Sequence, residues 1–423
     1  MTHPKTLSTA DYLTAPLHTL ESTDITAPAF KANPFGFYAR LRQDAPVFPV
    51  QLKLGRLQRA WLVTRYADVG ALLKDDDTFV KNPRNAMTPE QLRQSPTANL
   101  PGPFKALQRS LLSLDGADHD RLKVLVHKAF TPRTVEAMRS SAQAVADEAL
   151  DAARRRGSAD LMGDLALPVP LTVIGHILGV PERDRGKFVT WTKAVVSLGD
   201  RNPLFVIPTL LSFMRYTRRL IAQRRAVPAD DLISALVLAQ DQNDALSDDE
   251  ILSMIFLLLS AGHETTVNLI GSGALALLQH PEQLERLRAD PALIKPAVEE
   301  LVRYAAPVEQ GTERYAAHDT EFAGVRIPKG ELVIGILASA NRDASQFEAP
   351  DTLDIGRTGN RHLGFGLGMH YCLGAPLARL EAQIALNTLV QRAPKLKLAV
   401  PAADLTWRRS FVVRGLERLP VTL

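Results

Sequence analysis

"FGLGMHYCLG", Phe365 to Gly374, holds the single cysteine of a 423-residue chain, and glycines stand around it at 364, 366, 368 and 374. Glycine lets backbone lie where a side chain would collide with something flat and close. The residues that follow, "APLARLEAQIALNTLVQR", have helical spacing, so Cys372 falls at or just before a helix N-terminus. There the helix dipole and free N–H groups favour thiolate, the form that ligates metal. One cysteine makes no internal disulfide, which fits a reducing compartment. The opening "MTHPKTLSTADYLTAPLHTL" has neither an apolar core nor a cleavage pattern, so the cytoplasm is the expected location, without a membrane anchor.

A lone thiol also fits a small buried hydrophobe. Other site chemistries lack parts. Zinc needs companion ligands, and there is no second cysteine. A dinucleotide loop G-x-G-x-x-G counted from Gly364 or Gly366 meets Met369 or Tyr371 where the third glycine belongs. A Cys372–His370 nucleophile has no third group to orient it.

Phe365, Gly366, Gly368, His370, Cys372 and Gly374 reproduce the pattern F-G-x-G-x-H-x-C-x-G, and in this the chain resembles the cytochrome P450 family. The likeness runs from "NPFGFYARLRQDAPV" to "VRGLERLPVTL" and matches soluble bacterial members in "ANRDASQFEAPD" and "LGAPLARLE". It implies haem b, with Cys372 as the proximal iron ligand, Phe365 packed beside the sulfur, Gly366 and Gly374 shaping the loop, and His370 near a propionate. The implied fold is mainly α with a small β region, a helical prism enclosing haem. One domain would span 1–423, with residues 1–33, rich in Thr, Pro and Ala, as an N-terminal arm.

Periodicity agrees with a mainly helical body. Amphipathic helices are expected between about 117 and 240, and a small sheet from Tyr315 to about Leu337. A second hairpin is expected in "LTWRRSFVVRGLERLPVTL", and a long loop over 82–110, which holds five prolines. The longest helix candidate includes Ile251 to His280. Ser260, His263, Glu264, Thr265, Thr266 and Asn268 interrupt its middle, where a lone membrane helix would pay most, so it reads as a buried soluble helix.

That helix carries "AGHETT", Ala261 to Thr266. Gly262 would let backbone approach a planar ligand, while Glu264 and Thr265 set an acid beside an alcohol. The plainer reading has Thr265 bonding back to the carbonyl four residues earlier. His263 and Glu264 begin a zinc H-E-x-x-H pattern, but Val267 stands at its last position. The resemblance assigns Thr265 to oxygen activation and Glu264 to proton relay over the distal haem face, with Ala261 and Gly262 beside the cofactor. Glu300 and Arg303 match the family's E-x-x-R, with Arg357 as third member of a buried cluster. Glu285 and Arg288 have the same spacing in a more polar setting, where a surface pair is expected. Haem propionates would be met by His119, Lys123, Arg314 and His370. Soluble bacterial members carry arginine where Lys123 stands, and lysine cannot make the bidentate fork.

The implied reaction is monooxygenation, with O2 as co-substrate and NAD(P)H acting only indirectly. No flavin, nicotinamide or iron–sulfur motif is present, so a separate ferredoxin or flavodoxin with its reductase is the expected electron donor. Arg121, Lys123, Lys128 and Arg133 are candidate docking charges, or simply solvated ones. Expected substrate-facing positions are the 82–104 loop, a helical hairpin near Phe205 to Phe213, Leu257, Ala261, Val308, Glu309, Gln310, Phe411 and Val412. Most are apolar, so a lipophilic small molecule is expected. Glu309 and Gln310 would hold a polar handle of the substrate, or else serve the protein itself. A net charge of +4 is too small to argue for nucleic acid. A peroxide-driven peroxygenase and a non-catalytic haem-binding protein are the competing readings; the first would lack the acid–alcohol pair, and the second would need no relay.

Overall fold

A computed structural model describes residues 9–54, 56–95, 104, 110–127, 130–184, 186–188, 190–191, 203–243 and 246–423. Its elements are mostly helices with small sheets. They form two compact units. The first comprises Met1–Asn99, Asn268–Cys372 and Pro394–Leu423, and the second Leu100–Val267 and Leu373–Ala393.

The first unit is organised by strands β1 (Val47–Leu54), β2 (Arg56–Val63), β3 (Phe79–Val80), β4 (Arg314–Ala316), β5 (Thr320–Phe322), β6 (Val325–Ile327) and β7 (Leu332–Gly335). Five of these make one sheet in the order β1-β2-β7-β4-β3, and β5 and β6 pair as a separate hairpin. β2 and β7 are parallel, with Ala60 opposite Leu332 and Val63 opposite Gly335. Side chains alternate across a strand. Phe48, Val50, Leu52, Ala60, Leu62, Leu332 and Ile334 therefore enter one core with Phe30, Phe37 and Tyr38. Val47, Trp61, Val63 and Val333 enter another with Val69, Leu72 and Leu73. Both faces of the sheet are covered.

The expected arm is integral to this unit. Within residues 9–33, short helices Thr9–Thr14, Leu17–Leu20 and Pro28–Ala32 supply Tyr12, Leu20 and Phe30 to the first core. Phe30 meets Phe37 edge to face at 5.3 Å between ring centres. The expected loop over 82–110 is partly ordered by secondary structure, with a 3-10 turn at Pro83–Asn85 and a helix at Pro89–Gln94. Thr88 and Gln91 form a capping box there, a signal readable in "TPEQ". Residues 96–103 lie outside the described residues. The expected C-terminal hairpin is reduced to one bridge, Trp407 to Leu416, because Val413 bridges to Val308 instead. The last strand, β9 (Pro420–Thr422), pairs with β8 (Lys397–Leu398).

In the second unit, helix Arg139–Arg156 turns one alanine-rich face, Ala142, Ala146, Leu150 and Ala153, inward. Helices Pro168–Ile177 and Ala375–Arg392 pack against it. Glu381, on the last of these, is fully buried. Burial holds its carboxyl well above the ordinary value, with the Thr266 hydroxyl only partly offsetting the effect. The folded state thus keeps this proton where the unfolded chain has lost it. The stability it contributes is complete below the ordinary carboxylate range and is lost as pH rises above it. Glu381→Gln should therefore gain stability over wild type with rising pH, by up to about 1.4 kcal/mol per pH unit. Denaturant unfolding of both proteins between pH 4.5 and 8 checks this, and parallel curves would refute it.

The 32-residue helix Asp248–Gln279 contributes to both units. At about 1.5 Å per residue it is roughly 48 Å long. Ser247 and Glu250 cap its start reciprocally, with Ser247 N donating to Glu250 Oε2 at 2.7 Å and Glu250 N to Ser247 Oγ at 3.2 Å. Among the described residues it is one helix long and apolar enough to cross a membrane, and over half of its most apolar window is buried.

Candidate active site

Cys372 is exposed, at the end of a loop folded back on itself. Its N–H donates to the Phe365 carbonyl at 2.9 Å, and Gly366 N donates to Leu363 O at 2.8 Å. Gly366 and Gly368 adopt left-handed φ of 73° and 75°. A Cβ at Gly368 would also lie 2.5 Å from the Leu73 carbonyl oxygen, so glycine is required there twice over. Gly374 has an ordinary φ of −80° and stands at the N-cap of helix Ala375–Arg392, two residues after the cysteine. His370 closes a 3-10 turn begun at Gly368.

Arg314 lies behind this loop in the first unit, 2% exposed, and donates to Asp76 Oδ1 at 2.9 Å, Phe79 O at 2.8 Å and Leu73 O at 3.1 Å. Those bonds commit much of the guanidinium expected at a propionate to the protein. Helix Ile294–Ala305 presents Glu300 and Arg303, both fully buried. Arg303 Nε and Nη2 donate to Glu300 at 2.7 and 2.8 Å, and Arg357 Nε reaches both oxygens at 3.1 and 3.2 Å. The comparable pair Glu285–Arg288 leaves its carboxylate 64% exposed. Burial, which spacing alone did not report, separates the two pairs.

In the second unit, Leu257 and Ala261 lie one turn apart on the long helix, half-buried and exposed respectively, with Glu264 and Thr265 half-buried beyond them. Thr265 Oγ1 donates to Ala261 O at 2.9 Å, the backbone bond anticipated as the plainer reading. The hydroxyl's lone pairs remain able to accept. The absent Cβ of Gly262 would point at Ile174, 3.3 Å away, so this glycine serves helix packing more directly than ligand approach. His263 is buried and turns back to the Leu259 carbonyl. His119 is 1% exposed, with Nδ1 3.1 Å from Asp120 Oδ1, and Lys123 follows one turn later on the same helix, half-buried.

Val308, Phe411 and Val412, all half-buried, are brought together in the first unit. The Val412 carbonyl accepts the N–H groups of Glu309 and Gln310 at 3.0 and 3.2 Å. Glu309 is committed to bonds within the protein, the second of the two readings above. It is fully buried, paired with Lys31 Nζ at 2.9 Å and accepting from the Tyr38 hydroxyl. A buried lysine in "FKANPF" carried no local signal of this partner. Of the proposed docking charges, Arg121 is paired with Glu250 at 2.7 Å, Arg133 is exposed, and Lys128 lies outside the described residues, as does the Phe205 side chain. The expected hairpin near Phe205 to Phe213 is instead part of one continuous helix, Pro203–Ala226, which accommodates Pro208 in its first turns.

The donor set fits a haem. A single accessible thiol stands ahead of a helix N-terminus, on backbone that its own hydrogen bonds and two left-handed glycines hold in place. The comparisons agree. The family model "Cytochrome P450" matches residues 31–393. The polyketide biosynthesis cytochrome P450 PksS of Bacillus subtilis is 44% identical over 395 residues, covering 93% of this chain and 96% of that protein. Its solved structure superposes with a TM-score of 0.87 at 42% identity, covering 95% and 99%. Mycinamicin IV hydroxylase/epoxidase of Micromonospora griseorubida is 41% identical, covering 91% and 94%. A myxobacterial P450, CYP267B1, solved with myristic acid, gives a TM-score of 0.87 at 40% identity, covering 94% and 98%.

The chain belongs to the cytochrome P450 family and has its fold. It is a haem b monooxygenase that uses O2 to hydroxylate or epoxidise lipophilic small molecules, with electrons from NAD(P)H arriving through redox partners.

Proposed function

We propose that Cys372 is the proximal ligand and that Thr265 and Glu264 manage protons on the distal side. The observation that carries this reading is the one accessible thiol on a backbone-braced loop. When bound, haem with a thiolate supplies cleavage of O2 and insertion of one oxygen atom into a C–H or C=C bond, the other leaving as water. Thr265, its hydrogen committed to Ala261, accepts a hydrogen bond and so holds a proton donor in place. Glu264, half-buried one residue earlier, passes protons inward from the surface. His119, Lys123, His370 and the remaining donors of Arg314 neutralise the propionates, and one domain spanning both units is supported by the extent of the family match.

Leu257, Ala261, Val308, Phe411 and Val412 suit a lipophilic guest. The name of one relative places it in polyketide biosynthesis, and another was solved with myristic acid. A polyketide or long acyl substrate is the reading these support. A ferredoxin or flavodoxin with its reductase supplies electrons in the cytoplasm, docking against a face that includes the exposed Arg133. The acid–alcohol pair favours this over a peroxide-driven enzyme or a haem carrier.

Thr265→Ala tests the assignment. Haem content and substrate affinity should be kept, while product per NAD(P)H consumed falls ~10-fold or more and hydrogen peroxide rises. Undiminished coupling would remove Thr265 from the proton path.

A further inference from the structure

Glu299 and Glu300 are consecutive on helix Ile294–Ala305, and they hold consecutive stretches of the chain leading to Cys372. Glu300 Oε2 accepts from Asn360 Nδ2 at 3.0 Å. Glu299 Oε2 lies 3.1 Å from His362 Nε2, and the His362 side chain is only 3% exposed. Gly364 N then donates to His362 Nδ1 at 3.2 Å. Between them, Leu363 N donates to Asn341 Oδ1 at 2.7 Å. The His362 ring rests against the Phe365 ring, 5.7 Å between centres, and the Phe365 carbonyl accepts the Cys372 N–H. Gly364 cannot drift toward the helix, since even a Cβ there would come within 2.4 Å of Val302 Cγ1.

The tautomer follows from these contacts. A backbone N–H always donates, so Nδ1 must be bare and the imidazole hydrogen sits on Nε2, pointing at the Glu299 carboxylate. The other tautomer would set N–H against N–H at Gly364 and a lone pair against the carboxylate. We propose that Glu299 and His362 are a positioning pair for the cysteine loop: the carboxylate fixes the imidazole tautomer, and the imidazole fixes Gly364 and Phe365, which present the Cys372 sulfur. This rests on Cys372 being the ligand.

The test uses haem-loaded wild type and the variants His362→Ala, His362→Asn and His362→Gln. Two readouts apply, the share of thiolate-type absorption in the reduced carbon monoxide complex and the rate of haem transfer to a haem-scavenging protein. Asparagine keeps an acceptor at the Nδ1 position for Gly364, whereas glutamine reaches Glu299 only. His362→Ala should lose haem about 10-fold faster, with a smaller thiolate share. His362→Asn should recover to within about twofold of wild type, and His362→Gln should not. Values for His362→Ala within twofold of wild type overturn the proposal, even if its thermal stability falls. Asparagine performing no better than glutamine also overturns it, and that pair decides alone if the alanine variant yields no holoprotein. A wild type without thiolate absorption would instead remove the ligand assignment beneath it.

Discussion

Cys372→Ser should abolish monooxygenation. The chain has no second cysteine to substitute. A serine hydroxyl at this position stays protonated, because proximity to a helix N-terminus is worth only about 0.3–1 kcal/mol, far less than ionising an alcohol costs. The electron donation that drives O–O cleavage is lost with the sulfur. Turnover should fall on the order of 10³-fold or more, about 4 kcal/mol of barrier. The loop itself should persist, since the bond from the position 372 N–H to the Phe365 carbonyl is kept by serine. Absorbance of the reduced carbon monoxide complex measures the change directly. A thiolate band retained in the serine variant would end the ligand assignment.

Glu300→Ala should prevent accumulation of folded protein. Its two oxygens accept from Arg303, Arg357, Asn360 and the backbone N–H of Asp354, the last at 3.0 Å. Removing it leaves Arg303, 0% exposed, as a buried cation without its counter-charge. Arg303 would keep its carbonyl acceptors at Asn341, Pro350 and Thr352, but these carry no net charge. Breaking one side of a buried pair costs about 3–5 kcal/mol. That is a large part of the roughly 5–15 kcal/mol that separates folded from unfolded chains. Glu285→Ala, at the exposed pair of equal spacing, should change stability by less than about 1 kcal/mol. Soluble yield and denaturant midpoints of the two variants check the contrast, and similar values would refute it.

What could be read from the sequence was what is local. The cysteine loop declares itself because thiol, glycines and following helix fall within a few positions, and the long helix because its apolar residues form one contiguous run. Glu300 and Arg303 share one turn, but their burial depends on Arg357 and Asn360, far along the chain. His362 shows no pattern with Glu299 because contact between a loop and a helix has no period. Glu309 was ambiguous for the same reason: its partners Lys31 and Tyr38 come from the first forty residues. The order β1-β2-β7-β4-β3 was likewise hidden, since it joins strands separated by most of the chain. The helix at Pro89–Gln94 was legible and was masked only by the prolines around it.

One set of contacts bears on how the protein is made. Arg414 lies over the Trp407 ring at 3.7 Å and faces Phe35 at 5.3 Å, and Arg342 lies between Phe35 at 3.7 Å and Tyr304 at 4.3 Å. Arg414 also donates to the carbonyls of Lys31, Ala32 and Ala305. Residues 31–35 thus find partners made some 380 positions later. At about 5–20 residues per second, Phe35 waits roughly 20–80 s for Arg414. The first unit cannot complete this part of its core until Arg414 has been made, and until then the aromatic segment around Phe35 is a natural client for chaperones.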